Sequence, residues 1–547
     1  MDLGWIVVLP PVFVVLWATF TKRLLPALIL GIVSASLICC NFDPVLALQM
    51  MACKFVTATQ LNTLVSFKLL WASFYPLVCL FLVLLSIMII LINHSGGAYA
   101  YANFISGKLK NAANAEKSSL ILSWFFFIDD YFSCLTVGSV IQPVAEWFKI
   151  PRAKLAMLVN SMSAPLAVLF PISSWACYIV GQLKSVGVTA EMTKGALISA
   201  DAFYVYIKSI PFLFYSIIIV ASIWYLVQKR LSFGILYQQQ EEALKTGNLL
   251  GGKVALSSKM REVSECNKQG AILLDFALPI GVLCMSVFML LFYLGDFWMF
   301  GGSNGFMAAL QVANSGAALF LGSLFALIVS VIYLLFRKRV CVSELPLICK
   351  EGFSMIGSTL LVLMFIWTLT YILKNDLKTG HYLAMLFVGK IGVQLMPAVF
   401  FAIAVFIAML IGTAWGTIGI LISLAVPMLA SMLCFAHPIA INDALVVLPL
   451  IGAIVSGAIM GNHLSPLSDT ILMSSKSTGA YHIDVVKAQR SITLPAVLSV
   501  FVSFVVAGMM ITKFGVLLTV FTAWGVGIGL NVSVLQALNY LQHRKNC

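Results

Sequence analysis

Apolar runs of about 20 residues recur along the whole chain, separated by short polar turns. Each is long enough, as a helix, to cross a hydrocarbon core of about 30 Å. The runs fall at residues 3–20, 24–40, 69–92, 118–142, 155–182, 207–227, 271–295, 315–336, 353–373, 397–411, 416–435, 444–461, 491–512 and 515–538. Several are interrupted by Gly, Pro and polar residues. The pattern therefore predicts an all-α polytopic membrane protein with about 11–13 transmembrane helices plus re-entrant pieces.

Two stretches cannot be ordinary spans. IDDYFSCLTVGSVIQP (128–143) is followed closely by VNSMSAPLAVLFPISSW (159–175), and IGTAWGTIGILISLAVP (411–427) by MGNHLSPLSDTILMSSKSTG (460–479). Each sets carboxylates, Ser, Thr, Asn, Gly and Pro inside apolar sequence. Helix-broken backbone at membrane depth is tolerated only where it is buried in protein or lines a cavity. The two also look related. Asp130 precedes a Ser/Thr/Gly run ending near Gly138, and Asp469 a similar run ending at Gly479, an offset of about 330–340 residues. Residues 151–169 and 484–500 continue the likeness. Paired interruptions in two halves point to a transporter binding site at the repeat interface. The expected organisation is a first membrane half (1–227, broken at about 128–175), a linker loop (228–270) and a second half (271–547, broken at about 411–479).

Composition agrees. The chain is 61% hydrophobic and 10% charged, with a mean hydropathy of +1.03. Soluble domains carry about 25% charged residues, so an ordinary soluble enzyme, a disordered chain and a nucleic-acid reader are excluded. The net charge of +13 reflects Lys and Arg in cytoplasmic loops. Lys229, Arg230, Lys245, Lys253, Lys259, Arg261 and Lys268 crowd the linker; Arg337, Lys338, Arg339 and Lys350 form the next cluster. Residues 295–314 between them hold no Lys or Arg, so inside, outside, inside is the simplest course. Asp2 before the first run and Lys22–Arg23 after it argue against a signal peptide and place the N-terminus outside. The cysteines, several in apolar runs (Cys39, Cys79, Cys134, Cys284, Cys434), show no metal-ligand spacing and read as small buried residues. There is no phosphate-binding P-loop, so coupling to an ion gradient, not ATP, is expected.

The chemistry concentrates in the interruptions. An ionised carboxylate in the bilayer costs roughly 2.5–3.5 kcal/mol on insertion scales. Adjacent Asp129 and Asp130 therefore require a pathway, a cation or a proton, or else cap a helix end at the interface. Asp469 in SPLSDT is crowded by Ser465, Ser468 and Thr470, an oxygen-rich set suited to hard cations. Asn160, Ser161 and Ser163 precede Pro165; Ser173 and Ser174 follow Pro171; Thr413 and Thr417 flank Trp415. Singly such residues hydrogen-bond neighbouring backbone or helices. Asp275 reads as either a structural partner or a second proton site, and His463 as a pH sensor or a hydrogen-bonded bystander. Asn93-His94-Ser95-Gly96-Gly97 reads as a helix end and turn.

Taken in order, LPPVFVVLWATFTKRLLPALILGI, NHSGGAYAYA, FIDDYFSCLTVGSVIQPV, PRAKLAMLVNSMSAPLAVLFPISSW, GTAWGT and GNHLSPLSDTILMSS with HIDVVKAQ resemble the NhaC-type Na+/H+ antiporters of bacteria over residues 9–495. The resemblance implies two inverted repeats, each with a re-entrant hairpin and a broken helix, an elevator motion, a homodimer, and exchange of Na+ or Li+ for H+ across the inner membrane. Some relatives exchange carboxylates with these ions. It implies no enzyme activity and no cofactor, with the transported ions and the lipid bilayer as partners and no nucleic acid. The implied cation site draws charge from Asp129 or Asp130 and from Asp469, and neutral oxygens from Asn160, Ser163, Ser173, Thr413, Asn462, Ser465, Ser468 and Thr470; Asp130 and Asp469 are the expected Na+ ligands. Asn160 and Asn462 stand where the family usually has Asp. They make the site less negative and raise an alternative, a Na+- or H+-coupled transporter of a small organic anion or amino acid. A channel or receptor fits poorly with coordinated interruptions in both halves.

Overall fold

The computed structural model describes residues 4–21, 23–65, 73–97, 99–100, 104, 111–190, 196–254, 270–387, 392–433 and 438–544. Lys22, Lys259, Arg261, Lys268, Cys434 and residues 69–72 of the expected third span lie outside them. Helices dominate. The first part of the chain forms α1 (Leu9–Thr21), α2 (Leu24–Cys39), α3 (Pro44–Thr59), α4 (Tyr75–His94), α5 (Ala112–Phe125), α6 (Asp130–Trp147), α7 (Arg152–Leu169), α8 (Ser174–Ser185), α9 (Ala202–Ser209) and α10 (Phe214–Lys229). After α11 (Ile235–Thr246) come α12 (Leu273–Leu294), α13 (Phe306–Val312), α14 (Ser315–Phe336), α15 (Leu345–Tyr371), α16 (Thr379–Phe387), α17 (Met396–Ile411), α18 (Ala414–Met432), α19 (Val447–Leu464), α20 (Asp469–Thr478) and α21 (His482–Arg544). Among the described residues eight helices are long and apolar enough to cross a membrane, or up to eleven if each of three bent pairs is one span. The molecule is an all-α multi-pass membrane protein.

The bends have local causes. α2 and α3 meet at 120°. Asn41 and Phe42 take positive φ, and Asp43 caps α3 by accepting the Val45 and Leu46 N–H groups at 2.9 and 3.1 Å, with Pro44 at the first position that needs no donor. α3 is absent from the expected spans because Gln49 and Lys54 interrupt its apolar run; Lys54 is neutralised by Asp376 at 2.7 Å. The expected span 118–142 is two helices, α5 and α6, separated by residues 126–129. The expected spans 491–512 and 515–538 lie in one helical run that kinks at Gly515.

Three strands of two residues each pair in parallel: β1 (Val188–Thr189), β2 (Ile198–Ser199) and β3 (Ile439–Ala440). They tie a loop of the first half to one of the second. The linker does the same at another place. Ser232 N and Gly234 N donate to Asn539 and Gln542 near the end of α21, and Lys253 reaches both oxygens of Asp484 at 2.7 and 2.6 Å. Asp275 is a structural partner. Fully buried, it accepts from Ile272 N and Tyr333 Oη, both at 2.9 Å, and pairs with Arg337 and Arg339.

Candidate functional site

The two polar stretches fold into four helix breaks. α7 ends at Leu169; Phe170 turns extended, Pro171 cannot continue the helix, and Ser173 caps α8 by accepting Ala176 N at 3.1 Å. α19 ends at Leu464; Ser465 turns extended, Pro466 follows, and Ser468 caps α20 by accepting Ile471 N at 3.2 Å. Phe170-Pro171-Ile172-Ser173-Ser174 and Ser465-Pro466-Leu467-Ser468-Asp469 thus place proline second and the capping serine fourth. This is not the register expected from sequence. Asp469 stands opposite Ser174, whereas Asp130 opens α6, and the helix that follows the corresponding break, α18, opens on Ala414. The likeness between the two Asp runs came from composition, not from equivalent positions.

Four helices therefore begin at the breaks: α6 at Asp130, α8 at Ser174, α18 at Ala414 and α20 at Asp469. Their first residues converge. Asp130, Trp175, Ala414, Trp415, Asp469 and Thr470 line one cavity with Ala164, Ile459, Asn462 and His463. The cavity measures about 10 Å³, roughly what the centre of a single water requires. Helix N-termini carry partial positive charge, and two of the four carry the carboxylates at that end.

The breaks are braced to one another. Ser174 Oγ donates to Asp129 Oδ2 at 2.9 Å, and Ser174 N to the Ile128 carbonyl at 2.9 Å. In the second half, Asn462 Nδ2 donates to the Gly412 carbonyl at 3.2 Å. Gly412 has φ +82, and a Cβ there would stand 2.8 Å from Leu467 Cβ, so both conformation and space call for glycine. The halves meet where Tyr131 Oη donates to Asp469 Oδ2 at 2.5 Å. α6 and α20 then run side by side; Ser477 Oγ donates to the Cys134 carbonyl at 2.7 Å.

The two central carboxylates are held differently. Asp469 Oδ1 accepts from Asn462 Nδ2 at 3.0 Å and from Thr470 N at 2.8 Å, and Oδ2 from Tyr131. Asp130 is buried, and its Oδ1 has no hydrogen-bond partner among the described residues. Trp175 lines the same cavity as this carboxyl, and its indole N–H has no hydrogen-bond partner among the described residues. The ring N–H of Trp415 and the Nε2 of His463 also lack partners among the described residues. A buried polar atom left unpaired costs about 1–3 kcal/mol. Several such atoms border this one cavity.

Of the residues expected at the site, Asp130, Asn462, Asp469 and Thr470 line the cavity, and Ser468 bonds to Asn462 and Thr470. Asp129 lies behind them on Ser174. The structure uses other expected side chains locally. Ser163 donates to the Asn160 carbonyl at 2.9 Å, Ser173 to the Ala167 carbonyl at 2.6 Å, and Ser465 Oγ accepts Leu467 N at 3.2 Å. Thr413 precedes α18 with no side-chain cap bond. Asn160 Nδ2 donates to Gln489 Oε1 at 3.0 Å, and its Oδ1 has no partner among the described residues. Sequence reasoning missed Tyr131, Trp175, Gln489, Tyr215 and Thr493. The last three join a buried network. Tyr215 Oη lies 2.6 Å from His463 Nδ1, and Gln489 Nε2 donates to Ser161 Oγ and Thr493 Oγ1 at 3.0 and 3.2 Å. One signal was available: Trp175 and Trp415 are each the second residue of a helix that follows a break.

Comparison with known proteins gives three findings. Residues 166–509 match the model of the Na+/H+ antiporter family. An uncharacterized protein of Haemophilus influenzae (strain ATCC 51907 / DSM 11121 / KW20 / Rd) is 28% identical over 507 residues, which covers 92% of this chain and 90% of that protein. Among solved structures, the Alcanivorax borkumensis YdaH transporter superposes with a TM-score of 0.51 at 12% identity, over 86% of this chain and 90% of that one, so the fold is shared.

Proposed function

This chain belongs to the Na+/H+ antiporter family and is a secondary transporter, not an enzyme; on that premise we propose that it exchanges Na+ or Li+ for H+ across a bacterial inner membrane, with Asp130 as the group that takes cation and proton in turn. The observation that carries this reading is Asp130 Oδ1, which has no hydrogen-bond partner among the described residues, at a cavity about as large as the centre of a single water requires. A buried carboxylate oxygen without a donor requires a cation or a proton. Asp469, held by three donors, supplies fixed negative charge beside it, and Thr470 Oγ1 a neutral oxygen. The serine caps at 173 and 468 hold the breaks open. The scheme needs no cofactor, and a homodimer is its expected assembly.

The test is proton flux in proteoliposomes that contain only this protein, with an internal pH dye and pulses of Na+, Li+ or K+. A saturable Na+- or Li+-driven pH change, absent in Asp130→Asn, is expected. Unchanged exchange in folded Asp130→Asn would remove this Asp from the mechanism; no response in the oriented wild type would remove cation exchange.

A second reading has its own observation. The indole N–H groups of Trp175 and Trp415 have no partner among the described residues and sit in the first turns of α8 and α18. Donors at two N-termini without a carboxylate suit an acceptor-bearing ligand, such as the carboxylate of a small organic acid or amino acid. Uptake of labelled carboxylates that depends on Na+ or pH would establish it.

A further inference from the structure

Asn462 is the most completely bonded side chain at the cavity. Its Nδ2 donates to the Gly412 carbonyl at 3.2 Å and to Asp469 Oδ1 at 3.0 Å. Its Oδ1 accepts from Ser468 Oγ at 2.5 Å and from Thr470 Oγ1 at 3.2 Å. Both donors and the acceptor of the amide are engaged. The two oxygens that Nδ2 bridges are of the kind that bind hard cations: a carboxylate and a backbone carbonyl at a helix break. An N–H2 group between them gives the same electrostatic service permanently, because it brings partial positive charge to both at once.

We infer that the Asn462 amide is a built-in occupant of a second cation position, and that Asn462 thereby limits the site to one cation. The inference deepens the proposed cation exchange and rests on it only for the first ion, at Asp130. Replacing the amide by a carboxylate turns the donor into an acceptor. Oxygens of residue 462, of Asp469 and of Gly412 then face one another with no positive group between them, and either a shared proton or an entering cation must hold them together; the response to Na+ and Li+ separates the two.

The experiment is thermal unfolding of the full-length protein in detergent as NaCl or LiCl replaces choline chloride at constant ionic strength. Three variants are compared with the wild type: Asn462→Asp, Asn462→Ala, and the exchange Asn462→Asp with Asp469→Asn. Asn462→Asp is expected to gain a saturable rise in Tm with Na+ or Li+ that exceeds the wild-type response. Asn462→Ala, which removes the amide and adds no charge, is expected to gain a smaller one. The exchanged pair again has one amide against one carboxylate and is expected to respond as the wild type does. An Asn462→Asp protein that ignores Na+ and Li+ would overturn the inference, and so would an exchanged pair that responds like the single variant. If Asn462→Asp does not fold in either salt, Asn462→Ala decides: a gained response supports the inference and none overturns it. A wild type without cation exchange beside a responsive Asn462→Asp defeats only the proposed function; the reverse pattern defeats only this inference.

Discussion

Gly138→Ala tests whether the crossing of α6 and α20 sets the distance between the two carboxylates. A Cβ at residue 138 would stand 1.9 Å from Ser477 Oγ and 2.7 Å from Ser477 Cβ, where ordinary contact begins near 3.4 Å. Rotating the hydroxyl relieves the first clash and not the second, so the helices must separate. Overpacking of this kind costs about 1–3 kcal/mol. Losing the Ser477–Cys134 hydrogen bond adds about 1 kcal/mol, for a total of about 2–4 kcal/mol. Both helices start at the cavity, with Asp130 and Asp469 as first residues, so separation at the crossing also moves the carboxylates. The assay is paired: thermal unfolding in detergent, and cation-driven proton flux in proteoliposomes. Gly138→Ala is expected to lower Tm and to slow exchange, and adding Ser477→Gly, which removes the opposing Cβ and Oγ together, to recover most of the exchange and part of the Tm, because the Ser477–Cys134 hydrogen bond stays lost and a glycine inside α20 costs about 1 kcal/mol. Wild-type Tm and flux in Gly138→Ala would refute the reasoning, as would a failure of Ser477→Gly to recover either.

Three further outcomes are expected. Tyr131→Phe removes the phenol that bonds Asp469 Oδ2, and a hydrogen bond to a charged group contributes about 1.5–3 kcal/mol; denaturant titration should show that loss, and an unchanged midpoint would count against the bond. Lys154 and Glu116 form a buried ion pair at 2.6 Å, 5% and 2% exposed, so Lys154→Met alone should cost about 3–5 kcal/mol, with Lys154→Met/Glu116→Leu recovering most of it, as read by Tm. Asp201, in the turn before α9, is pushed up to about 6 by burial, against the opposing charge of Lys184 and the N–H groups of Phe203 and Tyr204. With the folded value above the unfolded one, its contribution is most favourable below about pH 4 and is lost as pH rises through about 6. Asp201→Asn, which keeps a capping oxygen, should raise Tm at pH 7 relative to the wild type and little at pH 4; equal shifts at both would sink the assignment.

Much of the architecture could be read from the chain. Runs of apolar residues must become helices in a bilayer, because backbone groups there have to bond within their own segment. A proline followed two residues later by a serine writes a break and a cap into local sequence, so both interrupted stretches were legible, as were Asp130 and Asp469 within them. α3 was not legible, because its Lys54 acquires its partner Asp376 only through folding.

Which oxygens remain open could not be read at all. Ser163, Ser173 and Ser465 look like ligands in sequence, yet each bonds its own neighbourhood. Tyr131 and Gln489 look like ordinary helix residues, yet each reaches a polar group more than 300 positions away. Local sequence determined most of the spans, the breaks and the caps, because these depend on hydropathy and on the torsions of adjacent residues. Only the tertiary structure decided that four helix starts converge, that Asp469 is pinned while Asp130 keeps an oxygen with no partner among the described residues, and that the Asn462 amide lies between a carboxylate and a carbonyl. Hydrogen-bond satisfaction is a property of atoms brought together from both halves of the chain, and it exists only once they have met.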